Sequence, residues 1–256
     1  MQYIRDRVLS GEIMCGMAAS LGSSLTVEMI GAAGFDWTWI DMEHGTGDYS
    51  ELITQVQAAS INSAPPIVRI AWNEMPRFKR VLDLGASGIM VPYVNNAEEA
   101  EQAVTSLLYP PKGARGVARF TRACGFGQDF DNYFTEANEG LLTVVQVETI
   151  EATEKAEELA AVDRVDVLFI GPLDLSVNMG IAQQYENSDF LDALDRVGAA
   201  CKKYNKAAGI LVPDLNYLED WISRGFSFFV VGSDGGCVAS GLKNIASVCK
   251  PFKNKS

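Results

Sequence analysis

Short apolar runs alternate with longer amphipathic ones along the whole chain. Residues 13–18, 36–41, 66–70, 88–91, 142–147, 165–170, 207–211 and 227–231 read as strands. They are apolar and mostly unalternated, as parallel strands covered on both faces are. Residues 24–33, 49–59, 75–84, 97–108, 150–160, 190–204, 216–224 and 239–248 carry helical periodicity. Gly34, Gly85 and Gly225 stand where a helix stops and the chain turns into the next strand. Eight strand–helix units in 256 residues predict a closed (β/α)₈ TIM barrel, which takes about 250 residues. The competing open, doubly wound sheet usually carries a glycine-rich loop after its first strand, and none follows here. The chain reads as one α/β domain, residues 1–256, without linker, low-complexity segment or internal repeat. Two stretches, 109–130 and 171–189, exceed ordinary connection lengths. This reading places both at the C-terminal ends of strands, the barrel face that carries active sites.

Composition narrows the setting. No apolar run reaches the roughly 18 residues that cross a bilayer. Residues 1–11 carry charges of both signs and no signal-peptide core, which argues against secretion. The net charge of −12 repels phosphate backbones and argues against nucleic-acid partners. Small anionic substrates remain compatible, because a few arginines and a bound cation can reverse the field inside a pocket. The five cysteines, Cys15, Cys124, Cys201, Cys237 and Cys249, show no CxxC spacing and read as free thiols of a cytoplasmic protein.

The candidate chemistry lies at the strand ends. The second strand runs into Asp41, Glu43, His44 and Gly45, and the third ends at Arg69. The fifth ends with Gln146, Val147 and Glu148, and the sixth is followed by Gly171, Pro172, Leu173 and Asp174. Glu148 and Asp174 are oxygen donors on neighbouring strands. Two carboxylates in one barrel mouth repel unless a cation lies between them, and a hard divalent ion that keeps water positions fits. The alternative is that each caps a following helix.

His44 is the only imidazole in the chain. Its titration range suits proton transfer, and Asp41 or Asp83 could orient it; a hydrogen-bonded surface histidine is the alternative. Arg69 ends an apolar strand. A buried guanidinium calls for an anion, either an oxygen that gains charge during reaction or a structural ion-pair partner. No lysine stands at the C-terminal end of a strand, and Lys206 precedes the seventh at the wrong end. A Schiff base therefore lacks its nucleophile, and carbanion chemistry here needs a metal as electron sink. Arg115, Arg119 and Arg122 punctuate the first long stretch, either gripping an anionic second substrate or serving a solvated or subunit-bridging loop. Residues 232–236 (GSDGG) follow the last strand as a phosphate-binding turn or a plain entry into the final helix.

These segments resemble the HpcH/HpaI family of metal-dependent (class II) 2-oxo acid aldolases, related to the citrate lyase β-subunit. The resemblance spans residues 11–243 and rests on FDWTWIDMEHG (35–45), PPIVRI (65–70), LDLGASGIMVPYVNNAEEAEQAV (82–104), YPPKGARG (109–116), VVQVET (144–149) and GPLDLS (171–176). It implies Glu148 and Asp174 as ligands of Mg²⁺, Mn²⁺ or Co²⁺. It implies Arg69 at the 2-oxo group and His44 as acid/base, with Asp41 and Asp83 as supporting carboxylates, Asp83 from a neighbouring subunit. It further implies Gln146 as a positioning residue, and backbone amides at Leu173 and Asp174 as the carboxylate cradle. A homo-hexamer, built as a trimer of dimers that exchange the last helix, is also implied. Leu173 stands where the family has a small residue, Val177 and Asn178 follow where small residues are frequent, and residues 117–126 match no substrate pattern; the aldehyde is therefore left open.

The activity implied is reversible cleavage of a 4-hydroxy-2-oxo acid to pyruvate, or a related 2-oxo acid, and an aldehyde through a metal-bound enolate. Two alternatives keep the fold. One decarboxylates oxaloacetate or condenses it with an acyl-CoA. The other is a non-catalytic metabolite-binding barrel, against which the Asp, Glu, His and Arg set argues.

Overall fold

In the computed structural model, which describes residues 3–61 and 63–253, eight parallel strands close into one barrel in sequence order. The strands are β1 (Met14–Ala19), β2 (Trp37–Asp41), β3 (Pro66–Arg69), β4 (Gly88–Val91), β5 (Leu142–Val147), β6 (Val167–Ile170), β7 (Ala207–Leu211) and β8 (Phe226–Ser233). Each differs from its predicted span by at most two residues at either end. Among the described residues twelve α-helices accompany them: α1 (Ile4–Leu9), α2 (Ser24–Ala32), α3 (Tyr49–Ala59), α4 (Met75–Leu82), α5 (Ala97–Leu107), α6 (Phe130–Gly140), α7 (Ile150–Glu154), α8 (Ala156–Ala161), α9 (Pro172–Asn178), α10 (Ser188–Tyr204), α11 (Leu218–Ser223) and α12 (Asp234–Lys253). The predicted helix stops are borne out: Gly34, Gly85 and Gly225 adopt φ of 89°, 97° and 94°, the left-handed region open to glycine.

Two cores follow from the pleat. Alternate strand side chains point into the barrel, and the others pack beneath the helices. Met14, Trp37, Trp39, Ile67, Met90, Leu142, Val144, Val167, Phe169 and Phe228 fill the interior. Trp37 stacks on Phe228 at 4.1 Å between ring centroids. The floor is closed by α1, which the pattern of the chain did not reveal. Its Ile4 and Val8 enter the interior cluster, and Arg5 Nε donates to the buried Asp166 at 2.9 Å.

The placement of residues 109–130 is corrected. This stretch follows α5, not a strand, so it lies at the N-terminal end of the barrel, away from the active-site face. Arg122 donates to the Leu84 carbonyl at 2.8 Å and to Ser60 at 3.2 Å, both at the C-terminal ends of helices. Arg115 is buried, bonds Asp83 at 2.7 Å and lies on the Tyr109 ring. Arg119 rests on Phe130. Within this chain the three arginines brace the floor. Residues 232–236 prove to be the end of β8 and the start of α12, the plainer of the two readings. Asp234 accepts from the Ser20 amide at 2.8 Å and from the Thr26 hydroxyl at 2.7 Å, tying that start to the β1–α2 loop. Among the described residues no helix is long and apolar enough to cross a membrane.

Candidate active site

Strand parity carries the site. Inward positions run Trp37, Trp39, Asp41 on β2; Ile67, Arg69 on β3; Leu142, Val144, Gln146, Glu148 along β5 and beyond; and Val167, Phe169, Gly171 along β6 and beyond. Each row is apolar through the core, and the first three become polar at the C-terminal end. Rows that change character at the same height build a polar mouth on an apolar plug.

Register places Asp41 directly beside Arg69. Arg69 Nε donates to Asp41 Oδ1 at 2.9 Å, and Nη2 donates to Oδ2 at 2.8 Å. Nη1 lies 3.0 Å from Glu43 Oε2 in an ion pair that lacks the alignment of a hydrogen bond. The guanidinium rests on the Trp39 ring, 4.5 Å from its centroid. The Asp41 Oδ1 atom also accepts from the backbone amides of Glu43 and His44, at 3.0 and 3.3 Å. Burial alone would raise the Asp41 pKa; the bonds and charge of Arg69 overcome it and hold the carboxyl below its ordinary value. The buried arginine therefore finds its anion within the barrel wall, and Asp41 grips Arg69 rather than the imidazole of His44.

Glu148 is buried. Its Oε2 accepts from the Tyr93 amide at 3.1 Å, and its Oε1 accepts from Gln146 Nε2 at 3.0 Å. Gly171 makes room for it: a Cβ there would sit 2.5 Å from Oε1. Burial pushes the Glu148 pKa up to about 7; the Tyr93 amide works against this, and the negative charge of Asp174 adds to it. Neither carboxylate makes an N-cap bond. Thr149 caps α7, accepting from the Ala152 amide at 3.1 Å, and α9 has no side-chain cap. Asp174 stands in the first turn of α9 and faces the same cavity as Glu148. Among the described residues no three His, Cys, Asp or Glu side chains gather closely enough to enclose an ion.

His44 sits at the rim with a side chain 74% exposed, its Nε2 4.0 Å from Glu43 Oε1. Asp83 follows α4 at the opposite end of the barrel, bonded to Arg115. Within one chain it does not meet His44.

Trp39, His44, Arg69, Gln146, Glu148, Phe169, Leu173 and Asp174 line one cavity of about 420 Å³, with Gln183, Tyr185, Leu211 and Pro213 on its outer side. A larger groove of about 560 Å³ lies on the floor beside Lys206, away from these residues. Sequence reading missed Glu43 as a partner of Arg69 and Tyr93 as the backbone donor to Glu148. Glu43 was legible as a neighbour of Asp41 in the same loop. Tyr93 gave no signal, because it acts through its amide. No cysteine lines the cavity among the described residues.

Known proteins resemble this chain over nearly its whole length. A pyruvate aldolase of Rhizobium etli is 37% identical over 245 residues, covering 96% of each chain. A 5-keto-4-deoxy-D-glucarate aldolase of Salmonella arizonae is 35% identical, covering 93% of each. The crystal structure of an HpcH/HpaI aldolase/citrate lyase family protein from Burkholderia cenocepacia superposes with a TM-score of 0.91 at 31% identity, covering 96% of this chain and 98% of that one. Residues 16–241 match the family itself, and the chain belongs to the HpcH/HpaI aldolase/citrate lyase family.

Proposed function

We infer that this barrel is a class II aldolase that reversibly cleaves a 4-hydroxy-2-oxo acid into pyruvate, or a related 2-oxo acid, and an aldehyde. One observation carries the reading. A buried arginine and two carboxylates converge on one cavity at the strand C-termini, and no lysine lines that cavity among the described residues. The relatives named as aldolases supply the reaction class.

The donor set fits a divalent cation. Glu148 and Asp174 offer anionic oxygens, and Gln146 Oε1 is buried without a hydrogen-bond partner. Such oxygen sets suit Mg²⁺, Mn²⁺ or Co²⁺ with water in the remaining positions. When bound, the ion supplies Lewis acidity at the 2-oxo acid. The chain's own groups do the rest. Arg69 has five N–H donors; two go to Asp41 and a third faces Glu43, which leaves donors for the ketone oxygen that gains charge as the C3–C4 bond breaks. First-turn amides of α9 at Leu173 and Asp174 have no partner within the helix and receive the substrate carboxylate. His44 takes the proton of the 4-hydroxyl in cleavage and returns it in condensation. Trp39 and Phe169 close the inner wall against water.

The working form is a homo-oligomer, a hexamer arranged as a trimer of dimers with α12 exchanged between subunits. The support is in α12, exposed from Gly236 onward with Val238, Leu242, Ile245 and Val248 along one face. Leu25 and Met29 of α2 stand equally exposed on the barrel, 65% and 66%. Asp83 would then support a His44 across a subunit boundary. The five free thiols fit a reducing cytoplasm. Pyruvate release from a panel of 4-hydroxy-2-oxo acids tests the activity. Release from at least one, dependent on added Mg²⁺ or Mn²⁺, supports it, and inertness toward all with metal present rejects it.

A further inference from the structure

We propose that Tyr93 is a positioning residue for this site and acts through a left-handed backbone rather than through its phenol. The inference rests on the reading of Glu148 as a ligand of the divalent ion, and concerns what holds that carboxylate in place.

The turn after β4 is strained at one residue. Pro92 and Val94 are buried, and Val94 belongs to the core beneath the helices. Between them Tyr93 has φ of 53°, a conformation that a bulky side chain rarely adopts. Asn205 has φ of 54°, but it ends α10, where a left-handed residue is ordinary. Tyr93 ends no helix. Strained residues persist where the surrounding bonds over-determine them.

Those bonds run to the end of β5. The Tyr93 amide donates to Glu148 Oε2 at 3.1 Å, and the Val94 amide donates to the Gln146 carbonyl at 3.2 Å. Only the φ and ψ of Tyr93 lie between these two amides. In an extended strand neighbouring residues point their N–H groups to opposite edges. The left-handed turn brings both to the same neighbour. Asn95 fastens the turn further: its Nδ2 donates to the Tyr93 carbonyl at 3.1 Å, and its Oδ1 accepts from the Thr149 hydroxyl at 2.6 Å. The Asn95 amide donates to Glu99 in the first turn of α5 at 2.7 Å. The loop is therefore tied on both sides of Glu148, at Gln146 and at Thr149, and the Tyr93 amide takes the carboxylate between them.

With Oε2 on that amide and Oε1 on Gln146 Nε2, the carboxylate is oriented before an ion arrives. The Tyr93 ring is engaged elsewhere, stacked on Trp72 at 6.4 Å between centroids. Extended backbone at Tyr93 would turn the amide away and leave the buried carboxylate with one of its two partners.

The test uses the protein in its native assembly. Mn²⁺ affinity is read by calorimetry, and exchange of the residue-93 amide is read in the metal-free state. Asparagine and glycine enter the left-handed region readily, and valine does not. Tyr93→Asn and Tyr93→Gly should bind Mn²⁺ as the wild type does. Tyr93→Val should bind it about tenfold or more weakly, the scale of losing one supporting contact in a metal site. The wild-type amide should exchange slowly, and Glu148→Ala, which removes its acceptor, should release it. This exchange needs no variant at position 93 and decides the matter even where Tyr93→Val does not fold. Wild-type affinity in a folded Tyr93→Val protein, an equal loss in Tyr93→Asn and Tyr93→Gly, or amide protection that survives Glu148→Ala would each overturn the inference. The ion reading stands through any of these if Glu148→Gln still weakens Mn²⁺ binding. Affinity untouched by Glu148→Gln would remove the ligand reading and this inference together.

Discussion

Asp41 and Arg69 lie side by side on β2 and β3, joined by two parallel hydrogen bonds of 2.9 and 2.8 Å. This pair fixes the plane of the guanidinium and leaves its remaining donors aimed at the cavity. It also separates two duties that a sequence reading merges. Asp41 orients Arg69, and Glu43 is the carboxylate that faces His44.

Removing either partner has a distinct signature. Arg69→Ala should lose about 10²-fold or more in kcat, the scale of one oxyanion donor. Arg69→Lys should recover only part, because the planar fork is gone. Asp41→Ala leaves the guanidinium buried without its partner and should cost about 3–5 kcal/mol in urea unfolding. A stable, fully active Asp41→Ala protein would show that the pair neither braces nor aims the arginine.

The same pair sets a pH dependence. The Asp41 pKa is depressed in the folded chain. Its stabilisation is therefore complete above the unfolded-state value of about 3.9 and is lost as pH falls through the lower folded value. The stability gap between wild type and Asp41→Asn should be flat from pH 7 to 5 and shrink below pH 4. Denaturant unfolding across that range checks it, and a gap that grows on acidification would reverse the sign.

Gly171 offers a test at the other wall. A methyl group there would meet Glu148 Oε1 at 2.5 Å and Cγ at 2.9 Å. Gly171→Ala should displace the carboxylate and weaken Mn²⁺ binding by about tenfold or more, the scale of losing one supporting contact in a metal site. Calorimetric titration reads this, and unchanged affinity in a folded variant would separate Glu148 from the ion.

The role of His44 is read by two reactions at once. His44→Ala should slow retro-aldol cleavage by about 10²–10⁴-fold. Glu43→Gln should lower the same step, since Glu43 is the carboxylate 4.0 Å from the imidazole. Exchange of pyruvate methyl protons in deuterated water separates the steps. If exchange falls with cleavage, His44 serves enolisation too; if it persists, His44 serves the aldehyde oxygen alone. Unchanged rates of both reactions in a folded His44→Ala protein would remove it from the mechanism.

Much of this was legible in the residues. Eight buried parallel strands announce themselves as unbroken apolar runs, so even the four-residue β3, β4 and β6 could be placed. The polar residues closing those runs marked the mouth. Pairing was not legible: Asp41 reaches Arg69 only because register aligns them, and register is a property of two strands. Helices α1 and α9 are under eight residues and α6 lies inside a polar stretch, so none of the three shows a clear helical period in the residues. Length alone does not tell which end of the barrel a long stretch occupies; residues 109–130 follow α5 and so return to the barrel floor.

The proposed divalent ion at Glu148 and Asp174 can be removed and returned while turnover is watched. Pyruvate release from a 4-hydroxy-2-oxo acid is followed after chelation and after return of Mn²⁺, for wild type, Glu148→Gln and Asp174→Asn, with borohydride added in parallel. If Glu148 and Asp174 hold the ion, chelation should silence the wild type, Mn²⁺ should restore it, neither variant should recover at the same Mn²⁺ concentration, and borohydride should trap no adduct. Turnover that survives chelation, together with a substrate adduct trapped on a lysine, would contradict that role.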